Sequence, residues 1–225
     1  MSALLESLAY PDLERLIAAG ETVARLDAEM AAAGGDPPSL LAGAARAVPF
    51  RHYPEGDVYD FTSHSQFYYH VHRGNEFGHL HLFLRPKGMP AGLLPTVPVP
   101  DAPDAPCHLV AVGFDADGAV SELFTTNRWV TGEAWYPAAA VAAMLPYFSI
   151  GKGRYRPVGE WLTALLVLFG PVIVDLLSRR DAEVERWSHA HPGRAVLDDG
   201  GLEILSRQPV SVPLWRRSLD DALKR

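Results

Sequence analysis

At 225 residues with 48% apolar side chains, the chain is long enough to bury a substantial core without disulfides. A single cysteine, Cys107, excludes an internal disulfide and a thiolate-cluster zinc site, and fits a reduced, cytoplasmic setting. The net charge of −7 argues against a general nucleic-acid binder.

Met1-Ser-Ala-Leu-Leu-Glu has neither a basic n-region nor an apolar h-region, so no signal peptide is expected. Residues 1–35 read as helical, with Leu13, Leu16, Ile17, Val23, Leu26 and Met30 at helical spacing and Gly34-Gly35 as the stop. Asp36-Pro-Pro38 breaks the chain before a short helix at Ser39-Leu-Leu-Ala. The block from Phe50 to Asp60 is turn-rich and aromatic.

Two strands follow, at 64–73 and 78–85. On the first, His64, Gln66, Tyr68, His70 and His72 share one face. On the second, His79, His81, Phe83 and Arg85 do. The opposite faces, with Phe67, Tyr69 and Val71 and with Leu80, Leu82 and Leu84, are apolar. Pairing His72 with His79 and His70 with His81 gathers four imidazoles, whereas a one-residue slip mixes the faces. That register calls for an even loop, such as Gly74 to Phe77.

Pro86 to Pro106 holds seven prolines in 21 residues and cannot form a central strand or a helix interior. It reads as a stiff surface crossing or a flap over the sheet. His108–Phe114 and Ala119–Thr126 are the third and fourth strands, joined by a turn at Asp115-Ala-Asp-Gly118. A helix begins near Pro137, and another has Pro157 in its first turn. The apolar run Trp161–Val174 is shorter than the roughly 20 residues a membrane span needs. Gly170-Pro171 divides it into two core helices. In the second of these, Ile173, Leu176, Leu177, Val184 and Trp187 face inward, and Arg179, Asp181, Glu183 and Arg186 outward. A short strand at Leu202–Leu205 and a helical turn close the chain.

The expected architecture is α+β: an antiparallel sheet or partial barrel of four to five strands, with helices from both termini packed on it. One domain over 1–225 is expected, with a helical segment at 1–45, the His-bearing sheet at 50–126 and a helical segment at 137–190.

Four histidines within the twelve residues 70–81 are the strongest pointer to chemistry. Opposed side chains on paired strands start about 5 Å apart, and imidazoles raised from them converge on an ion at about 2.0–2.1 Å. His70, His72, His79 and His81 are therefore the candidate ligand set, with three as the minimum. Imidazole suits iron, zinc, copper and nickel alike. Asp60 and Glu76 are the candidate general bases. Gln66, Tyr68, Arg85 and Arg128 are the candidate substrate-positioning residues, and His52 and Tyr53 are weaker candidates for the same pocket. Cys107-His108 enters an apolar strand and reads as core.

The expected function is a metal-dependent enzyme acting on a small molecule, with no nucleic-acid or membrane partner. The alternatives are a non-catalytic metal or haem carrier and an interaction protein with a structural His network. His70-x-His72-x-x-x-Glu76 resembles the core of the cupin metal motif over this stretch alone, since His64 and Phe83 stand where that motif has glycines. His-x-His beside another His is also similar to the zinc site of animal-type carbonic anhydrases. More of the chain resembles a bacterial family of unknown function, through His52-Tyr-Pro-Glu-Gly-Asp-Val-Tyr-Asp60, Ser63-His-Ser-Gln-Phe-Tyr-Tyr-His70 and the run from Phe124 to Pro137. That resemblance implies a single whole-chain domain and brings no activity with it.

Overall fold

A computed structural model of the chain describes residues 4–5, 8–43, 47–72 and 77–224. Its centre is a six-stranded antiparallel sheet in the order β1-β2-β3-β4-β5-β6, each strand beside its sequence neighbour. The strands are β1 (Tyr53–Tyr59), β2 (Ser65–His70), β3 (His79–Leu84), β4 (Cys107–Phe114), β5 (Val120–Thr126) and β6 (Ile204–Pro209). The α+β class is as expected.

The strand beyond the expected four to five is β1. Its Pro54 and Gly56 look like turn residues, but an edge strand tolerates both. Gly56 (φ 82) and Asp57 (φ 60) lie in the left-handed region, and the pairing with β2 is irregular between Tyr53 and Val58. β6 begins and ends later than expected and pairs with β5 from Ile204 to Pro209.

The helices are α1 (Tyr10–Ala32), α2 (Pro37–Ala42), α3 (Arg128–Thr131), α4 (Ala138–Met144), α5 (Arg156–Leu168), α6 (Gly170–Ala190) and α7 (Val212–Leu223). Asp36 and Ser39 form a reciprocal capping box on α2, satisfying donors that a bare helix start would leave unpaired. α7 is a full helix rather than a single turn.

One face of the sheet is apolar. Phe67, Leu80, Leu82, Leu84, Val110, Val112 and Leu123 are almost completely buried there, in one core with Leu16 and Val23 of α1, Leu162 of α5 and Leu176 of α6. Full burial of each such side chain is worth about 1.5–3 kcal/mol. α6 lies against β5 and β6, while α1 packs on α5 and α7. Ser206 of β6 locks the layers by donating to the Leu176 carbonyl at 2.8 Å while pairing with Thr125 at 2.7 Å. Inside the sequence-expected inward face of α6, Ile173, Leu176 and Leu177 are buried, whereas Val184 and Trp187 pack on a smaller cluster around Trp135.

α5 and α6 meet at a 73° bend next to Gly170-Pro171, and no single described helix is long and apolar enough to cross a membrane. The proline-rich crossing is pinned rather than loose. Thr96 and Val97 bond the backbone of Trp135, and Arg85 holds the carbonyl and carboxylate of Asp104.

Candidate metal centre

The face of the sheet away from this core carries the histidines, and strand register arranges them in rows. One row reads His70, His79, Gly113, Glu122 across β2 to β5; the next reads Tyr68, His81, Ala111, Phe124, Arg207 across β2 to β6. The expected pairing of His72 with His79 and His70 with His81 is corrected by two residues. His70 opposes His79, and Tyr68 opposes His81. A two-residue slide preserves which face each side chain takes. β2 ends at His70 and β3 begins at His79, and His72 stands on a bend beyond β2. Gly78 (φ 70) turns the chain back into β3, and the Tyr69 hydroxyl donates to the Phe77 carbonyl at 2.9 Å.

The four imidazoles still meet. Ring centroids lie 4.4 Å apart for His70–His79, 4.8 Å for His70–His72, 5.1 Å for His72–His79 and 4.8 Å for His79–His81. One donor nitrogen from each of His70, His72 and His79 falls within 4.8 Å of the other two, a set that could hold a metal ion. His70 Nε2 and His79 Nε2 are 2.7 Å apart, near the roughly 3 Å that separates two nitrogens sharing an ion at about 2.0–2.1 Å.

Burial decides the protonation state. It pushes His70 down to about 3, helped by the neighbouring rings of His72 and His52. It pushes His79 down to about 2, with His70, His72 and His108 adding to the effect. Fully buried His81 is held well below its usual value by the same cause, with His108 the strongest neighbour. These rings are neutral at pH 7 and carry lone pairs, the form a metal requires.

Sequence reasoning read His108 as core, and it is fully buried, but it lies on the histidine face. The register of β3 with β4 shifts between Leu82 and Phe83, leaving Leu109 as an extra residue on β4 and His108 opposite Phe83. Its Nε2 lies 3.0 Å from His81 Nδ1, and its Nδ1 lies 3.4 Å from Thr126 Oγ1. Behind it, buried Glu133 accepts from the His108 amide at 2.7 Å; burial pushes that carboxyl up to about 8 against the pull of Arg180.

Gln66, Tyr68 and Arg85 brace the cluster from the β1 side. Arg85 donates to Gln66 at 2.8 Å, Gln66 donates to Asp57 at 2.6 Å, and Asp57 lies 3.1 Å from His52 Nδ1. His52 stacks on Tyr68 at 3.6 Å and meets the edge of His70 at 5.8 Å. Tyr53, in contrast, packs toward the apolar core.

Asp60 is not brought to the cluster. It caps the β1–β2 turn by accepting from the amides of Thr62 and Ser63, about 16 Å of strand away from His70 at 3.3 Å per residue. Arg128 is not brought there either, being paired with Asp198 beside α3. Glu76 lies outside the described residues.

On the β4–β6 side of the cluster lies a cleft of about 480 Å³ bordered by His72, His79 and His81. Its floor is low because β4 contributes Gly113, where a Cβ would come within 2.8 Å of Glu122 Cγ. Phe124 and Val130 form its apolar side. Its polar rim comes from three residues that the sequence did not single out. Arg207 pairs with Glu122 at 3.7 Å, and Glu203 approaches His72 Nδ1 at 3.7 Å. The pairing of β5 with β4 brings in Glu122, and the docking of the β6 segment on β5 brings in Arg207 and Glu203; no local spacing links any of them to the His-x-His pairs.

A helix-backed antiparallel meander with a histidine-lined cleft on the face away from its apolar core defines an α+β protein with a candidate metal centre. The chain belongs to a family described as Domain of unknown function (DUF6969), whose model matches residues 17–210. No curated protein and no solved structure matches the chain.

Proposed function

We propose that this protein is a metal-dependent enzyme acting on a small molecule in the cleft, with one divalent transition metal held by His70, His72 and His79. The observation that carries this reading is the convergence of three donor nitrogens within 4.8 Å at the border of a 480 Å³ cleft. Three neutral ligands leave the ion its full charge. An ion held this way would act as a Lewis acid on a substrate oxygen or lower the pKa of a water in the cleft. The protein's own groups supply the rest. Glu203 is the described carboxylate nearest the triad and is positioned to accept a proton. Arg207 and Glu122 offer opposite charges to a polar substrate across the floor from His79. The brace from Arg85 to His52 fixes the wall behind His70.

Elemental analysis of protein purified without a His tag tests the reading. About one transition-metal ion per chain is expected, and replacing His72 and His79 together by Ala should remove it without loss of the far-UV spectrum. Adding the ion back to metal-free wild type should raise the melting temperature, since an ion at 100 times its Kd stabilises the native state by about 2.7 kcal/mol. Metal-free protein whose melting temperature is unmoved by zinc, iron, copper and nickel would overturn it.

A further inference from the structure

We infer that the cleft takes a small zwitterion with an apolar tail, of the kind an α-amino acid with an aliphatic or aromatic side chain provides, with its ammonium group on Glu122 and its carboxylate on Arg207. This rests on the cleft assigned above and names the class of molecule it holds. Strand register brings the two charges there. Glu122 of β5 opposes Gly113 of β4, which in turn opposes His79 of β3. Gly113 has no side chain, so that of Glu122 lies over the β4 backbone: a Cβ at Gly113 would fall 2.8 Å from Glu122 Cγ and 3.4 Å from its Oε1. The carboxylate is thereby carried from β5 toward His79. Arg207 of β6 comes from the next row, opposite Phe124, and its Nε lies 3.7 Å from Glu122 Oε2.

That pair is not closed on itself. Its separation exceeds the roughly 2.7–3.2 Å of an N–H···O hydrogen bond. With the arginine side chain 57% exposed, such an ion pair is worth about 0–1 kcal/mol. Among the described residues, the terminal nitrogens of Arg207 and Oε1 of Glu122 have no other partner. A guanidinium fork beside a carboxylate matches a carboxylate beside an ammonium, each opposite charge meeting its complement through charge-assisted hydrogen bonds. A lone anion would meet the acids of Glu122 and Glu203, and a lone cation would meet Arg207. A molecule that carries both charges satisfies both.

The tail has its own wall. Phe124 borders the cleft with its ring set edge to face against His79 at 5.1 Å, and Val130 of α3 adds to it. Phe77 borders the same space and leaves half of its surface in solvent, an exposure that an apolar tail laid against it would end. The cleft volume of about 480 Å³ falls within the range of about 300–1,000 Å³ found for small-molecule sites.

Four probes separate these contributions by calorimetric titration of zinc-loaded and of metal-free wild type: L-phenylalanine, 3-phenylpropionate without the amine, 2-phenylethylamine without the carboxylate, and L-alanine without the ring. L-Phenylalanine should bind at least about tenfold more tightly than each of the others, since one charge-assisted hydrogen bond contributes that much. Arg207→Gln should erase the preference over 2-phenylethylamine, and Glu122→Gln the preference over 3-phenylpropionate. Both variants should keep the wild-type zinc content and melting temperature, because an exposed pair contributes little to folding. The preferences should persist in metal-free protein. Preferences untouched by the two Gln variants, preferences seen only with zinc bound, or no binding of any probe would overturn the zwitterion and leave the metal triad standing. Protein that takes up no zinc would overturn the metal centre, while the metal-free titrations still decide for or against the zwitterion.

Discussion

His70, His79 and His108 each give up water on folding, and the charged form of the ring depends on that water most. Their native values fall to about 3, about 2 and about 3 through burial, while the unfolded chain titrates near the ordinary histidine value of about 6.5. Below that value the unfolded chain binds protons that the folded one refuses, so stability falls as pH drops from 6.5 toward 3. Each ring that stays neutral contributes a slope of up to about 1.4 kcal/mol per pH unit. Glu133 acts in the opposite sense. Its carboxyl is raised by burial to about 8, so its contribution is lost as pH rises from about 4.5 toward 8. The rings outnumber it, so urea denaturation of metal-free protein at pH 7, 6 and 5 should show a steep loss of stability on acidification. A flat profile over that range would contradict the neutral, buried imidazoles. The brace offers a second residue-scale test. Gln66→Leu leaves Arg85 Nε and Asp57 Oδ2 without their mutual partner and should cost about 1–3 kcal/mol, read from the denaturant midpoint.

The hairpin of β2 and β3 is the element on which the centre depends, and Gly78 is its hinge point. A Cβ there would fall 2.5 Å from Tyr69 Cζ, at a backbone φ of 70 that disfavours side chains. Gly78→Ala should cost about 2 kcal/mol through strain and loss of the Tyr69–Phe77 bond. It should also weaken metal binding by moving His79 relative to His72. Full retention of both stability and metal affinity would show that the loop does not set the spacing. The same hairpin shows what the sequence could and could not convey. Alternation of His with Leu fixed which face each ring takes. It did not fix how far one strand slides along the other, because a shift of two residues leaves every face unchanged. β1 is not legible in the sequence because Pro54, Gly56 and Asp57 serve equally as turn residues and as the parts of an irregular edge strand. The apolar composition of β4 points His108 to the core, and a single extra residue changes its face without altering that composition.

At the scale of the molecule, the helices are as important to the cleft as the strands that line it, because the long ones pack on the apolar side of the sheet while the short α3 brings Val130 to the histidine side. Trp215 of α7 is fully buried and donates its indole N–H to the Leu168 carbonyl at the end of α5, tying the last helix to the core. Trp215→Ala should cost about 3–5 kcal/mol and lower the melting temperature, while folded protein still binds metal with wild-type stoichiometry. Loss of metal from folded Trp215→Ala protein would show that the helical layer reaches into the centre itself. The helical periodicity of α1 and the break at Gly170-Pro171 were legible in the sequence. The partnership of β5 with β6 was not, since it joins segments separated by four helices, α3 to α6.

That partnership has a consequence for how the protein comes into being. The imidazoles proposed to hold the ion lie on β2, on the bend just after it and on β3, a stretch of chain that is complete once the third strand has been made. The far bank, with Glu203 and Arg207, is laid down only after the fifth and sixth helices. During synthesis the proposed ligands are therefore all present before the residues that form the far side of the cleft.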